Sequence, residues 1–195
     1  MRDSNYSMWE MFENIISVVR TKFITVNGRM IRFPIVIRGK KYIDFGNKIT
    51  TGARCRFEVH GKQSGKRLIF GKNVNMGYDV RISCSEKIEI GNNVLIGSRV
   101  LIIDNSHGKY AGNNQDKPEV PPNKRKIFTK SIKIEDNVWI GENSVIQMGV
   151  NVGYGSIIAA NSVITKDVPV KSMVGGVPAR VIKVYNEECQ EWRKI

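Results

Sequence analysis

The chain has 195 residues, of which 41% are hydrophobic, and it carries a formal net charge of +13 at pH 7. This length supports one domain with its own hydrophobic core. No stretch approaches the roughly 18 consecutive apolar residues of a membrane span, and the N-terminus lacks the charged-then-apolar pattern of a signal peptide. We therefore expect a single-domain protein in the cytoplasm.

The cysteines and the excess positive charge narrow the classes of ligand and partner. Cys55, Cys84 and Cys189 are odd in number and lack metal-ligand spacing, so we expect reduced thiols and no metal site. The positive charge predicts anionic partners, namely a phosphorylated small molecule or anionic lipid. Nucleic acid is disfavoured because no recognition helix, zinc finger or aromatic RNA-binding signature accompanies the charge.

An N-terminal appendage, residues 1–34, is predicted to hold a helix over residues 6–22. Its apolar residues recur at helical spacing, and Arg20 and Lys22 lie near its end, where cations suit a helix C-terminus. Two placements stay open. The helix packs on the rest of the chain or on a neighbouring subunit, or it touches anionic lipid, since further basic residues follow it.

A six-residue repeat organises residues 35–169. Each repeat has an aliphatic leading residue, often a following Gly, and a small or β-branched residue at the fifth position. From Ile134 onward the leading residues are Ile134, Ile140, Ile146, Val152, Ile158 and Ile164, and the fifth positions are Val138, Ser144, Val150, Ser156, Ser162 and Val168. The same pattern recurs in triplets that begin at Phe70 and Ile90, and a weaker triplet begins at Phe45.

A period of six fits neither the 3.6 residues of a helix turn nor the simple alternation of a strand. Three short strands joined by turns, with Gly at the corners, would close a triangular coil whose leading residues point inward. Stacked coils bury each other's apolar rows. The pattern predicts an all-β protein: a parallel β-helix of about five triangular coils, with an N-terminal helix and a C-terminal tail, residues 170–195, that ends in a short helix near residues 185–193.

The only long interruption of the coils is the segment over residues 103–131. Loops this long are usually functional or disordered. Its first residues are Asp104-Asn105-Ser106-His107-Gly108. His107 lies where the rigid scaffold meets the loop, and imidazole titrates near neutrality, so we predict that His107 is a catalytic base. Asp104 either orients this ring or forms a turn, whereas His60, in a Gly- and Lys-rich insertion, is expected to face solvent.

Five features of the sequence together resemble the hexapeptide-repeat acyltransferases. They are the hexads, the His107 segment, Val138-Trp139-Ile140-Gly141, Val163-Ile164-Thr165-Lys166-Asp167-Val168-Pro169 and Gly175-Gly176-Val177-Pro178-Ala179-Arg180-Val181-Ile182-Lys183. The likeness is closest to the sugar O-acetyltransferases, including galactoside, maltose and capsule or lipopolysaccharide enzymes, and it covers about residues 35–183. It implies a left-handed coil, acetyl-coenzyme A as acetyl donor, and a homotrimer with active sites between subunits.

The resemblance also assigns roles to individual residues. It implies that Trp139 and Gly141 border the coenzyme A cleft, and that the backbone of Ala160 meets the pantetheine arm. The nucleotide end of coenzyme A is assigned to Thr165, Lys166, Arg180 and Lys183. Three positions depart from the galactoside and maltose enzymes and concern the acceptor: Gly77 stands where they have Asn, Ser85 where they have an acidic residue, and Glu142 where a small residue is usual.

The function predicted from this likeness is acetyl transfer to a sugar or polysaccharide-precursor hydroxyl in a ternary complex, without metal. N-acetylation of an amino sugar or nucleotide-sugar on the same fold is the main alternative. Serine acetyltransferase is less expected because its large N-terminal helical domain is missing. A non-catalytic scaffold is disfavoured by the His107 loop, and an acyl-enzyme on Cys84 by the lack of a motif-placed base.

Overall fold

A computed structural model describes residues 6–61 and 64–195 of the chain. The chain forms one α-helix, α1 (Met8–Ile24), followed by 22 strands numbered in chain order, and two 3-10 turns, Lys40–Tyr42 and Pro122–Lys124. In the described part of the chain no helix is long and apolar enough to cross a membrane. Most strands have only two to four residues because each spans one side of a triangular coil.

The strands stack into the three flat faces of a prism. The first face consists of β1 (Met30–Ile31), β4 (Thr50–Thr51), β7 (Asn75–Met76), β10 (Leu95–Ile96), β15 (Trp139–Ile140), β18 (Ile157–Ile158) and β20 (Ser172–Gly176). The second face consists of β2 (Val36–Arg38), β5 (Arg56–Val59), β8 (Arg81–Cys84), β11 (Leu101–Ile103), β16 (Val145–Ile146) and β19 (Val163–Ile164). The third face consists of β3 (Ile43–Asp44), β6 (Leu68–Phe70), β9 (Ile88–Ile90), β14 (Ile132–Ile134) and β17 (Asn151–Val152).

Pairing between successive strands of a face is parallel throughout the prism, as expected for a left-handed β-helix. The second face has six strands, so the prism has six coils, and Val168 closes the last coil by a parallel bridge to Val152. Parallel pairing already begins at Met30, in a first coil whose Ile31 and Ile37 pair with the leading residues Thr51 and Phe57 of the next coil.

The hexad pattern places the core correctly. All six leading residues from Ile134 to Ile164 are at most 1% exposed, and the fifth positions from Val138 to Val168 are at most 4% exposed. The serines among the fifth positions bond to the backbone: Ser144 and Ser162 donate to the Ala159 carbonyl, and Ser156 donates to the Pro169 carbonyl. Each face therefore buries one continuous apolar row against the next coil.

The corners depend on two residue types for different reasons. The left-handed backbone falls on the fourth position of the hexad, often an Asn, as at Asn137 (φ 60°) and Asn143 (φ 57°). Gly141, which follows a leading residue, is needed for space instead, because a Cβ there would lie 2.5 Å from the Ala160 nitrogen of the next coil. Gly141 thus permits close stacking, and Asn is the residue type found most often at the left-handed position.

The helix α1 packs on the first coil through its small polar side. Its N-terminus has a capping box between Ser7 and Glu10. Ser17 and Thr21 are buried, and the Thr21 hydroxyl accepts a hydrogen bond from the Ile31 amide at 2.7 Å. The large apolar side chains lie on the opposite side of the helix and are exposed: Met8, Trp9, Met11, Phe12, Ile15, Val18, Val19 and Phe23.

The predicted C-terminal helix near residues 185–193 is wrong. The tail forms β21 (Ala179–Asn186) and β22 (Glu191–Lys194), which continue the first face: β21 pairs antiparallel with β20, and β22 pairs antiparallel with β21. An isolated helix of this length is marginal in water. The edge strand β20 instead offers unpaired backbone groups, and the edge-to-face contact of Tyr185 with Trp192, with ring centroids 5.5 Å apart, joins the two added strands.

Candidate functional site

A groove of about 640 Å³ runs across the outer side of the first face. Its floor is one row of residues in cross-strand register: Asn75, Leu95, Trp139, Ile157 and Met173. The alternate residues of the same strands point into the core, so this row is the solvent side of the sheet. Leu95 and Trp139 are nevertheless half exposed, at 49% and 51%. An apolar row on the outside of a coil is typical of a surface that binds a ligand or a partner.

The groove wall follows the corner where the chain leaves each first-face strand. Gly77, Gly97, Gly141 and Ala160 line it together with Ser98 and Glu142. Coils approach closely here, since a Cβ on Gly97 would lie 2.7 Å from the Glu142 nitrogen. Two of the positions that depart from the galactoside and maltose enzymes, Gly77 and Glu142, therefore lie in the groove itself.

The same row ends in two lysines. Met173 pairs with Lys183 on β21, and Lys183 pairs with Lys194 on β22. Directly paired residues of neighbouring strands lie on the same side of a sheet. Lys194 has no motif of its own, and its place became visible only because the predicted C-terminal helix is a hairpin. The row thus passes from the amide of Asn75 through four apolar side chains to two ammonium groups.

The interruption of the coils begins and ends as a short β-hairpin, and its connecting segment, residues 108–126, contains the 3-10 turn Pro122–Lys124 and no strand. β12 (Asn105–His107) pairs antiparallel with β13 (Ile127–Thr129), and His107 lies opposite Ile127. Arg125 ties the connecting segment together by donating to the carbonyls of Val120 and Pro118 and to the Tyr110 hydroxyl. His107 is exposed on this hairpin, which emerges after the second face. Its ring does not line the groove of its own chain among the described residues.

Asp104 occupies the turn-forming role that the sequence left open. It is fully buried, and its carboxylate accepts hydrogen bonds from the backbone amides of Ser85 and Glu86, both at 2.7 Å. The Asn105 side chain donates to the same carboxylate at 3.1 Å. Asp104 therefore secures the base of the hairpin through β8 and β9, and its hydrogen bonds go to these groups rather than to the His107 ring.

The remaining predicted residues are divided between faces. Trp139, Gly141 and Ala160 line the groove, and Lys183 extends it by register. Thr165 and Lys166 follow β19 on the second face and are exposed. Arg180 is exposed beside the turn between β20 and β21, opposite Gly175. A single chain therefore does not gather all the predicted coenzyme A residues at one place.

The buried cysteines are poor nucleophiles. Burial raises the pKa of Cys84 to about 12, and the neighbouring Asp104 carboxylate adds to this rise. Burial likewise raises the pKa of Cys55 to about 11. Only the thiolate attacks a thioester efficiently. In the described residues, no group of three or more His, Cys, Asp or Glu side chains is arranged to hold a metal ion.

Comparisons with known proteins agree with this architecture. The model of the hexapeptide repeat of succinyl-transferase matches residues 131–166. The chain is 33% identical over 190 residues, covering 97% of this chain and 95% of its relative, to WbbJ of Escherichia coli K12, whose name describes an O-acetyl transferase of lipopolysaccharide biosynthesis.

Two solved structures share the fold. AntD of Bacillus cereus, an N-acyltransferase in complex with dTDP-4-amino-4,6-dideoxyglucose and coenzyme A, has a TM-score of 0.70 at 22% identity, over 94% of this chain and 92% of its own. A maltose O-acetyltransferase of Clostridium difficile 630 has a TM-score of 0.60 at 25% identity, over 93% and 90%. With the match to WbbJ over almost the whole length of both chains, the protein belongs to the hexapeptide-repeat acyltransferases, enzymes built on a left-handed β-helix.

Proposed function

We propose that the protein transfers acetyl from acetyl-coenzyme A to a hydroxyl of a sugar or polysaccharide precursor. The observation that carries this proposal is the row across the first face, which ends in Lys183 and Lys194. Coenzyme A has matching parts: a long pantetheine arm that suits Leu95, Trp139 and Ile157, and phosphates that suit the two lysines. The full-length similarity to an O-acetyl transferase supports a hydroxyl as the acceptor.

The proposed chemistry is direct transfer with His107 as general base. The His107 imidazole removes the proton of the acceptor hydroxyl, whose oxygen attacks the thioester carbonyl. Backbone N–H groups stabilise the negative oxygen of the tetrahedral intermediate. Collapse of the intermediate breaks the carbon–sulfur bond, and the proton passes from the imidazolium to the leaving thiolate. The raised pKa of Cys84 argues against a competing route through an acyl-cysteine.

We further propose a homotrimer in which each site lies between subunits. The groove belongs to the first face, whereas His107, Thr165 and Lys166 lie on or after strands of the second face. A cyclic arrangement would bring the second-face elements of one chain to the first-face groove of its neighbour. The same contacts would join Lys166 and Arg180 to the phosphates of coenzyme A.

The exposed apolar side of α1 supports association as well. We infer that a neighbouring subunit covers it, because Met8, Phe12 and Phe23 form an apolar stripe that the helix does not bury on its own prism. Contact with anionic lipid or a lipid-linked glycan is the alternative, favoured by Lys22, Lys40 and other cations nearby. The reduced cysteines suit a cytoplasmic enzyme.

The direct test is product analysis with a panel of acceptors. Purified protein is incubated with acetyl-coenzyme A and neutral sugars, amino sugars or nucleotide-sugars, and thiol release is measured. We expect turnover whose product loses acetyl under mild alkali, as an ester does. An alkali-stable product with an amino sugar would instead identify an N-acetyltransferase, the chemistry of the fold relative AntD. Failure to bind acetyl-coenzyme A would contradict both.

A further inference from the structure

A buried carboxylate organises three arginines on the second face. Glu58 lies in β5 between two core residues, and its side chain is 1% exposed. Arg56 donates to it at 2.7 Å, Arg38 at 3.1 Å and the Arg81 Nε at 3.3 Å. The three arginines, here called the arginine cluster, come from three successive coils, β2, β5 and β8. One carboxylate therefore holds three guanidinium groups in a fixed arrangement.

The arginine cluster has more positive charge than Glu58 neutralises. Glu58 is the acid that pairs with each of the three arginines among the described residues, which leaves the cluster with two uncompensated positive charges. Their side chains are 63%, 39% and 51% exposed for Arg38, Arg56 and Arg81, so guanidinium donors face the solvent. Each guanidinium has five donors in a planar fork that matches phosphate oxygens.

The arginine cluster lies near the hairpin of β12 and β13, which carries His107. Arg81 and Ser83 are two residues apart on β8, about 7 Å along one side of the strand. Ser83 contacts the Asn105 amide at 3.4 Å and His60 at 3.3 Å. Asn105 begins β12, and His107 ends it. The path from Arg81 to His107 through Ser83 and Asn105 is about 15 to 20 Å long, which a substrate longer than a single sugar can span.

We propose that the arginine cluster binds the diphosphate of the acceptor, so that the acetylated sugar is carried on a diphosphate rather than free. This inference rests on the proposed function and deepens it. A phosphate on the arginine cluster would hold the sugar end toward Asn105 and His107, while acetyl-coenzyme A occupies the first-face groove of the neighbouring subunit. A nucleotide diphosphate and a lipid diphosphate share this chemistry, and the acceptor panel separates them.

The kinetic test uses the two most exposed arginines. Arg38→Gln and Arg81→Gln leave Glu58 paired with Arg56, and Arg54→Gln is a matched control, because Arg54 pairs with Asp79 elsewhere on the prism. We expect the double variant to raise the KM for a diphosphate-sugar by about 10-fold or more. The KM values for a neutral sugar and for acetyl-coenzyme A should stay unchanged. The diphosphate-sugars tested are a nucleotide-sugar and a detergent-solubilised lipid diphosphate sugar, and comparison of their KM values separates the two sources of the diphosphate.

A binding test does not depend on turnover. Inorganic pyrophosphate is titrated calorimetrically into protein saturated with coenzyme A, so that the donor phosphate site is filled. We expect the wild type and Arg54→Gln to bind pyrophosphate and the double variant to lose this binding while keeping its circular dichroism spectrum. Equal pyrophosphate binding by the double variant would overturn the proposal, as would a rise confined to the KM for acetyl-coenzyme A. A wild-type protein that binds pyrophosphate through the arginine cluster but transfers acetyl to no acceptor would count against the proposed function and not against this site.

Discussion

His107 is the residue on which the chemical step depends in the proposed mechanism. Its replacement by Ala removes the base but leaves the first-face groove unchanged, since His107 does not line that groove. We expect kcat to fall by roughly 10²- to 10⁴-fold, the usual contribution of a positioned general base. The Kd of acetyl-coenzyme A, measured by calorimetry, should stay within error of the wild type. An unchanged kcat with a working acceptor would exclude His107 from the mechanism.

Glu58 makes stability depend on pH at the acid side. The hydrogen bond from Arg56 is the main cause that lowers the pKa of Glu58, and the charges of Arg81 and Arg38 add to it. A carboxyl whose pKa is lowered in the folded state contributes stability above its unfolded pKa, about 4.3, and loses that contribution as pH falls through the lower folded value. Stability from this group is therefore complete at neutral pH.

Glu58→Gln tests this dependence. We expect the variant to unfold at lower temperature than the wild type at pH 7, because three guanidinium groups then face each other without a carboxylate. The difference in melting temperature should shrink below about pH 4. Glu89→Gln serves as the control, since Glu89 forms an exposed pair with Lys87 that is worth little. A difference that does not change between pH 3 and pH 7 would contradict the role given to the Glu58 charge.

At the scale of elements, the C-terminal hairpin extends the groove that we propose binds coenzyme A. Lys183 and Lys194 lie at the end of the apolar row. Charge-assisted contacts contribute roughly 1.5–3 kcal/mol each when sheltered and less when salt screens them. Replacement of both lysines by Ala should therefore raise the KM for acetyl-coenzyme A by about 10-fold. The acceptor KM should change little. Dephospho-coenzyme A donors show which phosphate is involved, because a cation that binds the 3′-phosphate has no effect when that group is missing.

The pair Lys166 and Arg180 provides the comparison. If a neighbouring subunit brings them to the same phosphates, Lys166→Ala with Arg180→Ala should also raise the KM for acetyl-coenzyme A by about 10-fold or more. Lys133→Ala is a suitable control, because Lys133 lies on the third face beside Glu135. Should both double variants discriminate the two donors as strongly as the wild type, all four cations would be surface charge.

At the scale of the whole molecule, we expect a trimer near three times 22.1 kDa. Two exposed apolar surfaces, the outer side of α1 and the first-face row, need a partner or a ligand to cover them. Ile15→Asp places a charge in the apolar stripe of α1 and should weaken the trimer in sedimentation velocity. A fully active, concentration-independent monomer would contradict the intersubunit site. A variant that stays trimeric but no longer binds anionic vesicles would assign α1 to lipid.

The sequence by itself determined the coil. The leading residues Ile140, Ile146 and Val152 recur every six residues and lie on three successive faces. All of them can be buried together only if the chain coils into a narrow prism with these side chains pointing inward. The same local logic identified α1, whose capping box and helical spacing are properties of adjacent residues. It also identified the interruption at His107, since an insertion is visible wherever a regular repeat stops.

The local sequence pattern could not predict the structure of the C-terminal tail or the contacts between residues of different coils. Residues 185–193 became a strand hairpin because the open edge of β20 offered backbone partners that no nearby residue reveals. Asp104 bonds to Ser85 and Glu86, which lie one coil away, and Glu58 gathers arginines from three coils. Such contacts join residues that are close only because coils stack about 4.8 Å apart, and tertiary structure alone creates that proximity.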